Sequence, residues 1–371
     1  SASRVPQLPK RLHQTSTRCP ASCRLRPTLL KPVRGVPSCR MPMQIAGAGE
    51  ALGPVRARRI TSVALHKAVP RLVALAHACG WYHYGCEEWS FLIAAGCDEA
   101  WVAEDALASV AGDREYSSES IEQEAEIRGS ILRVRFPCVD GSSSSAVGIG
   151  MMLVNPLTRG QGLGKELMNN AMGGCEGELI VLGAATKLGQ AMYEKMGYET
   201  TGSVAMLTSD CFEVSARRTP DSETNASVEV KLFGGDCAPP HARAALAAFD
   251  RTATGLDRHR ALDAALSTPG SQLAVAVNHA SGEPCGAAVM FAGSIGPVVG
   301  DAASAEPLII KLAASTDAPV AVKVNNHPQL VARLEEIGFQ GPRLVEMTFG
   351  GKSLPGLREL NYHALLHPTL G

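Results

Sequence analysis

The sequence predicts an α/β fold built on a mixed β-sheet, with one such unit occurring twice along the chain. Three observations predict it. An apolar run of strand length ends at Asn155-Pro156, passes through the glycine-rich turn Arg159-Gly160-Gln161-Gly162-Leu163-Gly164, and enters a stretch with Leu163, Leu167, Met168, Ala171 and Met172 at helical spacing. Residues 179–186 (LIVLGAAT) then read as a buried strand. Leu188 to Met196 reads as a short helix, Gly197 as its left-handed cap and Tyr198 as the start of another strand. The same succession of strands and helices returns between residues 228 and 350, where Gly338-Phe339 stands in the place of Gly197-Tyr198.

Taken in order, residues 1–58 precede the fold. Residues 1–49 hold nine of the 35 Lys/Arg, none of the 36 Asp/Glu and seven prolines. Such a segment buries no core. Arg-rich, Ser-rich and acid-free, it reads equally as an organelle transit peptide or as an unselected tail. The first unit spans 59–208. Ile60 to Leu65 reads as a strand, and Val69, Leu72, Val73, Leu75 and Ala76 mark a helix. Trp81, Tyr82, His83 and Tyr84 form a connection to a second helix over Glu87 to Ala95. Strands follow at 100–104, 131–136 and 146–154. Residues 106–128 between them are a charged insertion with five glutamates from Glu115 to Glu126. A further strand is expected over Ser203 to Thr208. Residues 209–227, polar and carrying Arg217, Arg218, Pro220 and Asp221, read as a linker. In the second unit, 228–350, strands are expected at 228–233, 272–277, 285–291, 295–299 and 320–324. Helices are expected at 239–249, 256–266, 306–314 and 328–337. Residues 351–371 read as a tail.

The turn at 159–164 is a candidate anion site. Glycines let backbone approach a ligand, and the free N–H groups and dipole of a helix N-terminus favour negative charge. Two common phosphate loops are excluded by spacing. A P-loop needs a glycine where Arg159 stands and Ser/Thr where Glu166 stands. A dinucleotide fingerprint needs G-x-G-x-x-G, and this chain has G-x-G-x-G. What the stretch resembles is motif A of the GNAT acetyltransferases, through Val154, Pro156, Arg159, Gly162 and Gly164. Thr186, Gly189, Met192, Tyr193, Lys195, Gly197 and Tyr198 resemble motif B of the same family, in order and at family spacing. The second unit resembles the degenerate C-terminal half of tandem-GNAT proteins.

The resemblance implies a fold, an activity and a site. The fold is a pair of tandem GNAT units. The activity is transfer of an acetyl group from acetyl-CoA to an amine, and the acceptor is open between a small molecule and a protein lysine. The pantetheine arm is expected against Met152, Leu153 and Val154. The pyrophosphate is expected on Arg159, Gly160, Gln161, Gly162, Leu163, Gly164 and Lys165. Tyr193 falls where the family often places its general acid, and an ordinary tyrosine is protonated at neutral pH, as that role needs. Glu178, Glu87, Glu88 and His83 are open candidates for the base. Where the phosphate turn should recur, the second unit reads Gly300-Asp301-Ala302-Ala303-Ser304, with no basic residue, so one cofactor site per chain is expected. A non-catalytic acyl-CoA-binding or sensing module is the alternative.

Composition narrows the classes. Net charge is −1, and beyond residue 49 the chain is acidic by ten. That gives no broad basic surface and no dedicated nucleic-acid site. The 11 cysteines include no C-x-x-C pair, which predicts neither a disulfide framework nor metal ligands. A reducing compartment follows: the cytoplasm, or an organelle if residues 1–49 are a transit peptide. The longest apolar stretch, Gly286 to Gly300, is too short and glycine-rich to span a membrane.

Overall fold

A computed structural model describes residues 55–105, 126–139, 145–209, 228–350 and 361–367, save 61, 82, 83, 98 and 326. The readings made for residues 1–49, Tyr82, His83, most of the 106–128 insertion and the 210–227 linker lie outside the described residues. So do those for residues 351–360. Among the described residues no helix is long and apolar enough to cross a membrane.

The first half contains β1 (Val55–Ile60), α1 (Ser62–Ala78), α2 (Cys86–Ala94), β2 (Glu99–Asp105), β3 (Ile127–Pro137), β4 (Ser145–Val154), α3 (Leu163–Met172), β5 (Leu179–Ala184), α4 (Lys187–Lys195) and β6 (Glu199–Ser209). The second contains β7 (Val228–Gly234), α5 (Pro240–Thr254), α6 (His259–Ser267), β8 (Gln272–Asn278), β9 (Pro284–Phe291), β10 (Ser294–Gly300), α7 (Ala302–Ala313), β11 (Val320–Asn325), α8 (Pro328–Glu336), β12 (Arg343–Phe349) and β13 (Tyr362–Ala364). The expected first strand at 60–65 is displaced. Buried Leu65, Ala68, Val69, Leu72, Leu75 and Ala76 carry a helical period back to Leu65, so the helix claims those residues. The strand is the arginine-rich segment before it, at the sheet edge, where apolar alternation is not required. The strands expected from Tyr198 and over 203–208 are one element, β6.

The 13 strands of the described residues join one sheet, in the order β1-β2-β3-β4-β5-β12-β6-β11-β13-β10-β9-β8-β7. Consecutive strands usually lie side by side, which would seat β6 against β5. Instead β12, from the second half, occupies that place, with Val345 opposite Ala184 and Phe349 opposite Ile180. In return β6 pairs with β11, Val322 opposite Leu207. The halves thus exchange their late strands. Residues 51–371 form one compact unit, and a single core cluster runs from Leu65 on α1 to Leu366 beyond β13.

The closing segment, read as a tail, contains β13, and its place is specific. In the first half β4 and β5 run parallel from Ala146↔Leu179 to Ile149↔Leu182 and then part. In the second half the equivalent strands β10 and β11 pair at Ser294↔Ala321 and Ile295↔Val322 and then part. β13 fills that second gap, with Val298 and Val324 both opposite Ala364 and Val299 opposite Tyr362. The buried Tyr362 hydroxyl accepts from Arg258 at 3.0 Å. Arg258 is paired with Asp250 beneath it, and both are almost fully buried.

Candidate active site

The parting of β4 and β5 opens a cleft of about 680 Å³. β4 is bent toward it by an irregularity. Its pairing with β3 shifts between Ser130 and Leu132, and Met151 is buried at φ 50°. A non-glycine residue held there costs about 1–3 kcal/mol. The Ser130 hydroxyl donates to the Met151 carbonyl at 2.9 Å and holds the bend in place. Beyond Ile149, β4 therefore keeps β3 on one side and faces the cleft on the other.

At the end of β4 the chain makes a short 3-10 turn, Pro156–Thr158, capped by the Asn155 side chain, which accepts from Leu157 N–H. Gly160 and Gly162 sit at φ 80° and 81°, a left-handed region that a side chain occupies only with strain. Gly162 is the N-cap of α3, and its carbonyl accepts from Glu166 N–H. Among the described residues no hydrogen bond takes up the N–H groups of Gly160 to Lys165. Gly164 serves packing instead: a Cβ there would lie 2.9 Å from Met152 Cε and 3.3 Å from Met192 Sδ.

α3 is aimed by what it buries and by what caps its far end. Leu163, Leu167, Met168 and Ala171 face the sheet, and Gly129 of β3 lets Leu167 approach closely. Leu163, Leu167 and Met168 each contribute about 1.5–3 kcal/mol on burial. At the C-terminus Arg133 donates to the carbonyls of Ala171 and Gly173, both at 2.7 Å, and Arg135 donates to Gly174 at 2.8 Å. Two cations at the negative end of the dipole leave the N-terminus directed at the cleft. Glu99 binds both arginines, at 2.5 and 2.9 Å, and hydrogen bonding from Arg133 holds its carboxyl below the usual carboxylate range.

Glu178, considered as a base, belongs to this network. It binds Arg135 at 3.1 Å and accepts from Ser145, at the opposite end of β4 from Val154. Burial works against its charge, but the Ser145 and Arg135 hydrogen bonds outweigh it and lower its pKa. It does not line the cleft, and holding Arg135 explains its position. Glu87 and Glu88 on α2 do not line it either.

Of the residues singled out in the sequence, Met152, Leu153, Val154, Arg159, Gly160, Gly162, Leu163, Gly164, Lys165 and Tyr193 all line the cleft. Gln161 is exposed on the turn and does not. The Arg159 side chain folds back to donate to the Val154 carbonyl at 3.2 Å, and the Cys79 thiol donates to the same oxygen at 3.4 Å. α4 starts from Thr186, whose hydroxyl accepts from Gly189 N–H, and its amphipathic turn brings Tyr193 inward. Tyr193 is 6% exposed, and burial pushes its pKa up to about 12.

Sequence reasoning missed the opposite wall. Met206 of β6, Pro342 and Leu344 at the start of β12, and His367 beyond β13 all line the cleft. No local signal marks them, because the strand exchange and the placement of the C-terminal segment bring them there. Trp81 and Tyr84, in the connection between α1 and α2, close the same side with rings 5.2 Å apart. Among the described residues no group of three or more His, Cys, Asp or Glu is arranged to hold a metal ion.

The equivalent place in the second half is built differently among the described residues. β10 ends at Gly300 and α7 begins at Ala302, so no turn intervenes, and β13 lies where the cleft would open.

Comparison with known proteins agrees with this geometry. Residues 98–200 and residues 246–363 each match a family model described as an acetyltransferase (GNAT) domain. The uncharacterized N-acetyltransferase YitH of Bacillus subtilis (strain 168) is 24% identical over 229 residues, covering 60% of this chain and 76% of that protein. A candidate acetyltransferase from Pyrococcus horikoshii superposes with TM-score 0.61 at 16% identity, over 88% of this chain and all of that one. A GCN5-related N-acetyltransferase from Sphaerobacter thermophilus gives 0.51 at 16% identity, over 81% of this chain and 99% of the other. A tandem GNAT protein from the clavulanic acid biosynthesis pathway gives 0.50 at 14% identity, over 80% and 98%. By its motifs, its fold and two family matches in series, this chain is a member of the GNAT acetyltransferase family with two GNAT domains in tandem.

Proposed function

We infer that the protein transfers an acetyl group from acetyl-CoA to an amine, using one cofactor site, in its first half. One observation carries this reading. A strand edge that has lost its partner, a turn of untaken N–H groups at a helix N-terminus, and a buried protonated tyrosine meet in a single cleft. The N–H groups of Gly160 to Lys165 suit a pyrophosphate, with Arg159 and Lys165 adding positive charge. The edge of Met152 to Val154 suits the amide-bearing pantetheine arm, and backbone N–H groups along it suit a thioester oxygen as it gains charge.

Tyr193 lines the cleft and keeps its proton across the physiological range, which suits it to protonate a departing thiolate. The filled slot of the second half supports a single site.

Two measurements test the reading. Calorimetric titration of acetyl-CoA into the protein is expected to show one site per chain. Thiol release in the presence of amines is expected to fall on the order of 10²-fold in Tyr193→Phe, with acetyl-CoA affinity little changed. Binding without turnover on any amine would favour the acyl-CoA-sensing alternative.

A further inference from the structure

We propose that His367, the last residue of the described C-terminal segment, receives the proton of the acceptor amine, and that this amine is a single one borne on an apolar or aromatic body. The proposal rests on the acetyl-transfer reading above and extends it to the other substrate.

His367 is carried into the first half's cleft by the segment that plugs the second. Beyond β13, Leu365 N–H donates to the Lys323 carbonyl at 2.8 Å and Leu366 N–H to the Tyr362 hydroxyl at 3.3 Å. These bonds fix the segment up to the imidazole, which is 3% exposed and lines the cleft. The Tyr84 ring meets it edge-on at 6.0 Å, and Phe91 lies at 6.4 Å. The charge of Glu88 on α2 acts on Tyr84, and that of the buried Lys323 on β11 acts on Glu88.

Elimination singles it out among the described residues. The ionisable side chains lining the cleft are Cys79, Tyr84, Arg159, Lys165, Tyr193 and His367. Arg159 and Lys165 are cations with no lone pair to offer. Burial raises the pKa of Cys79, Tyr84 and Tyr193, so all three keep their protons. His367 is the one member of this set whose neutral side chain carries a nitrogen lone pair that can accept a proton.

The lining also speaks to the acceptor. No described Asp or Glu faces the cleft, so nothing there answers the further positive charges of a polyamine. Trp81, Tyr84, Met206 and Leu344 offer apolar and aromatic surface instead.

The protons balance. His367 takes one from the ammonium and passes it to water. The neutral nitrogen forms a C–N bond to the acetyl carbon and the C–S bond breaks. Tyr193 gives its proton to the thiolate and recovers, through solvent, the second proton released by the nitrogen. The products are the N-acetyl amine and the free thiol of CoA.

The experiment uses the full chain, acetyl-CoA, and phenethylamine against spermidine, with thiol release as the rate and calorimetry for acetyl-CoA. Phenethylamine is expected to exceed spermidine at least about tenfold in kcat/KM. His367→Gln is expected to keep acetyl-CoA affinity, lower kcat on the order of 10²-fold and remove the acidic limb of the pH–rate profile. A merely structural histidine would move KM or acetyl-CoA binding and leave that limb in place. Preference for spermidine, or acetyl-CoA binding with no turnover of phenethylamine, overturns the proposal. So does a variant that keeps wild-type kcat and pH profile. Failure of the wild-type chain to bind acetyl-CoA is a separate result, which removes the acetyl-transfer reading and this proposal together.

Discussion

Replacing Gly162 separates the conformational demand of the turn from its electrostatic one. Gly162 lies at φ 81°, and a Cβ built there meets nothing within 4 Å. Alanine at this position therefore suffers no clash, only the left-handed backbone, which costs roughly 1–2 kcal/mol of folding stability. Aspartate meets the same strain and recovers part of it as a helix N-cap. The two variants should melt within a few degrees of each other.

Their binding should differ sharply. A carboxylate about 5 Å from a phosphate charge is opposed by roughly 1–3 kcal/mol between water-like and protein-surface dielectrics. A pyrophosphate carries at least two such charges, so Gly162→Asp should weaken acetyl-CoA binding by at least about 30-fold. Gly162→Ala should lose only a fewfold. Calorimetry with all three proteins, beside their melting curves, reads both quantities. Binding by Gly162→Asp within threefold of wild type would refute the placement of the pyrophosphate. Equal loss in both variants would show that the turn collapses, and would refute the electrostatic argument.

Other consequences follow from the exchange of strands and the buried groups around β13. Ending the chain at residue 227 removes β12 and exposes facing edges of β5 and β6. The fragment should show no cooperative melting transition by circular dichroism and should aggregate. Asp250→Asn leaves the fully buried Arg258 without its counter-charge and should cost about 3–5 kcal/mol in urea denaturation. His363 bonds the Gly300 carbonyl at 2.7 Å, and burial lowers its pKa to about 4. Its unfolded value, about 6.5, is higher, so the unfolded chain binds the proton first. The neutral ring therefore stabilises the fold fully above about pH 6.5, and about 3 kcal/mol of that is lost as pH falls toward 4. His363→Gln should flatten the denaturation free energy over that window; an unchanged slope would show that another group titrates there.

What could be read from the sequence was local. The turn at 159–164, the apolar stripe of α3, the Thr186 cap of α4 and the left-handed Gly197 each depend on residues within one or two turns, and each shows in residue type and spacing. The candidate site residues singled out on those elements line the cleft for that reason, save Gln161. The first strand was misplaced because an edge strand carries weak patterning and the apolar period of α1 begins at Leu65. Glu178 stayed an open candidate because its partners, Arg135 and Ser145, come from neighbouring strands, and a glutamate before a strand looks the same whether it serves chemistry or an ion network. The seating of β12 beside β5, and of β13 between β10 and β11, depends on pairings over long sequence separations. No periodicity in either strand encodes its partner, and with that pairing went Pro342, Leu344 and His367.

The filled slot gives the second half a physical rationale. Two parallel strands that part expose backbone N–H and C=O groups along both edges, and such groups when buried need partners. In the second half the chain supplies them itself: β13 pairs with both edges, and Gly300 N–H bonds Asn361. In the first half no strand of the described residues enters the gap, and those edges line an open cleft. One architecture has thus been completed in two ways, by a strand in one copy and by an open cleft in the other, the space that the proposed acetyl-CoA arm would fill. The strand that closes the second gap also delivers His367 to the first. The second half is therefore a wall of the first half's cleft as well as its scaffold, which agrees with the burial of β12 and the C-terminal segment in the core.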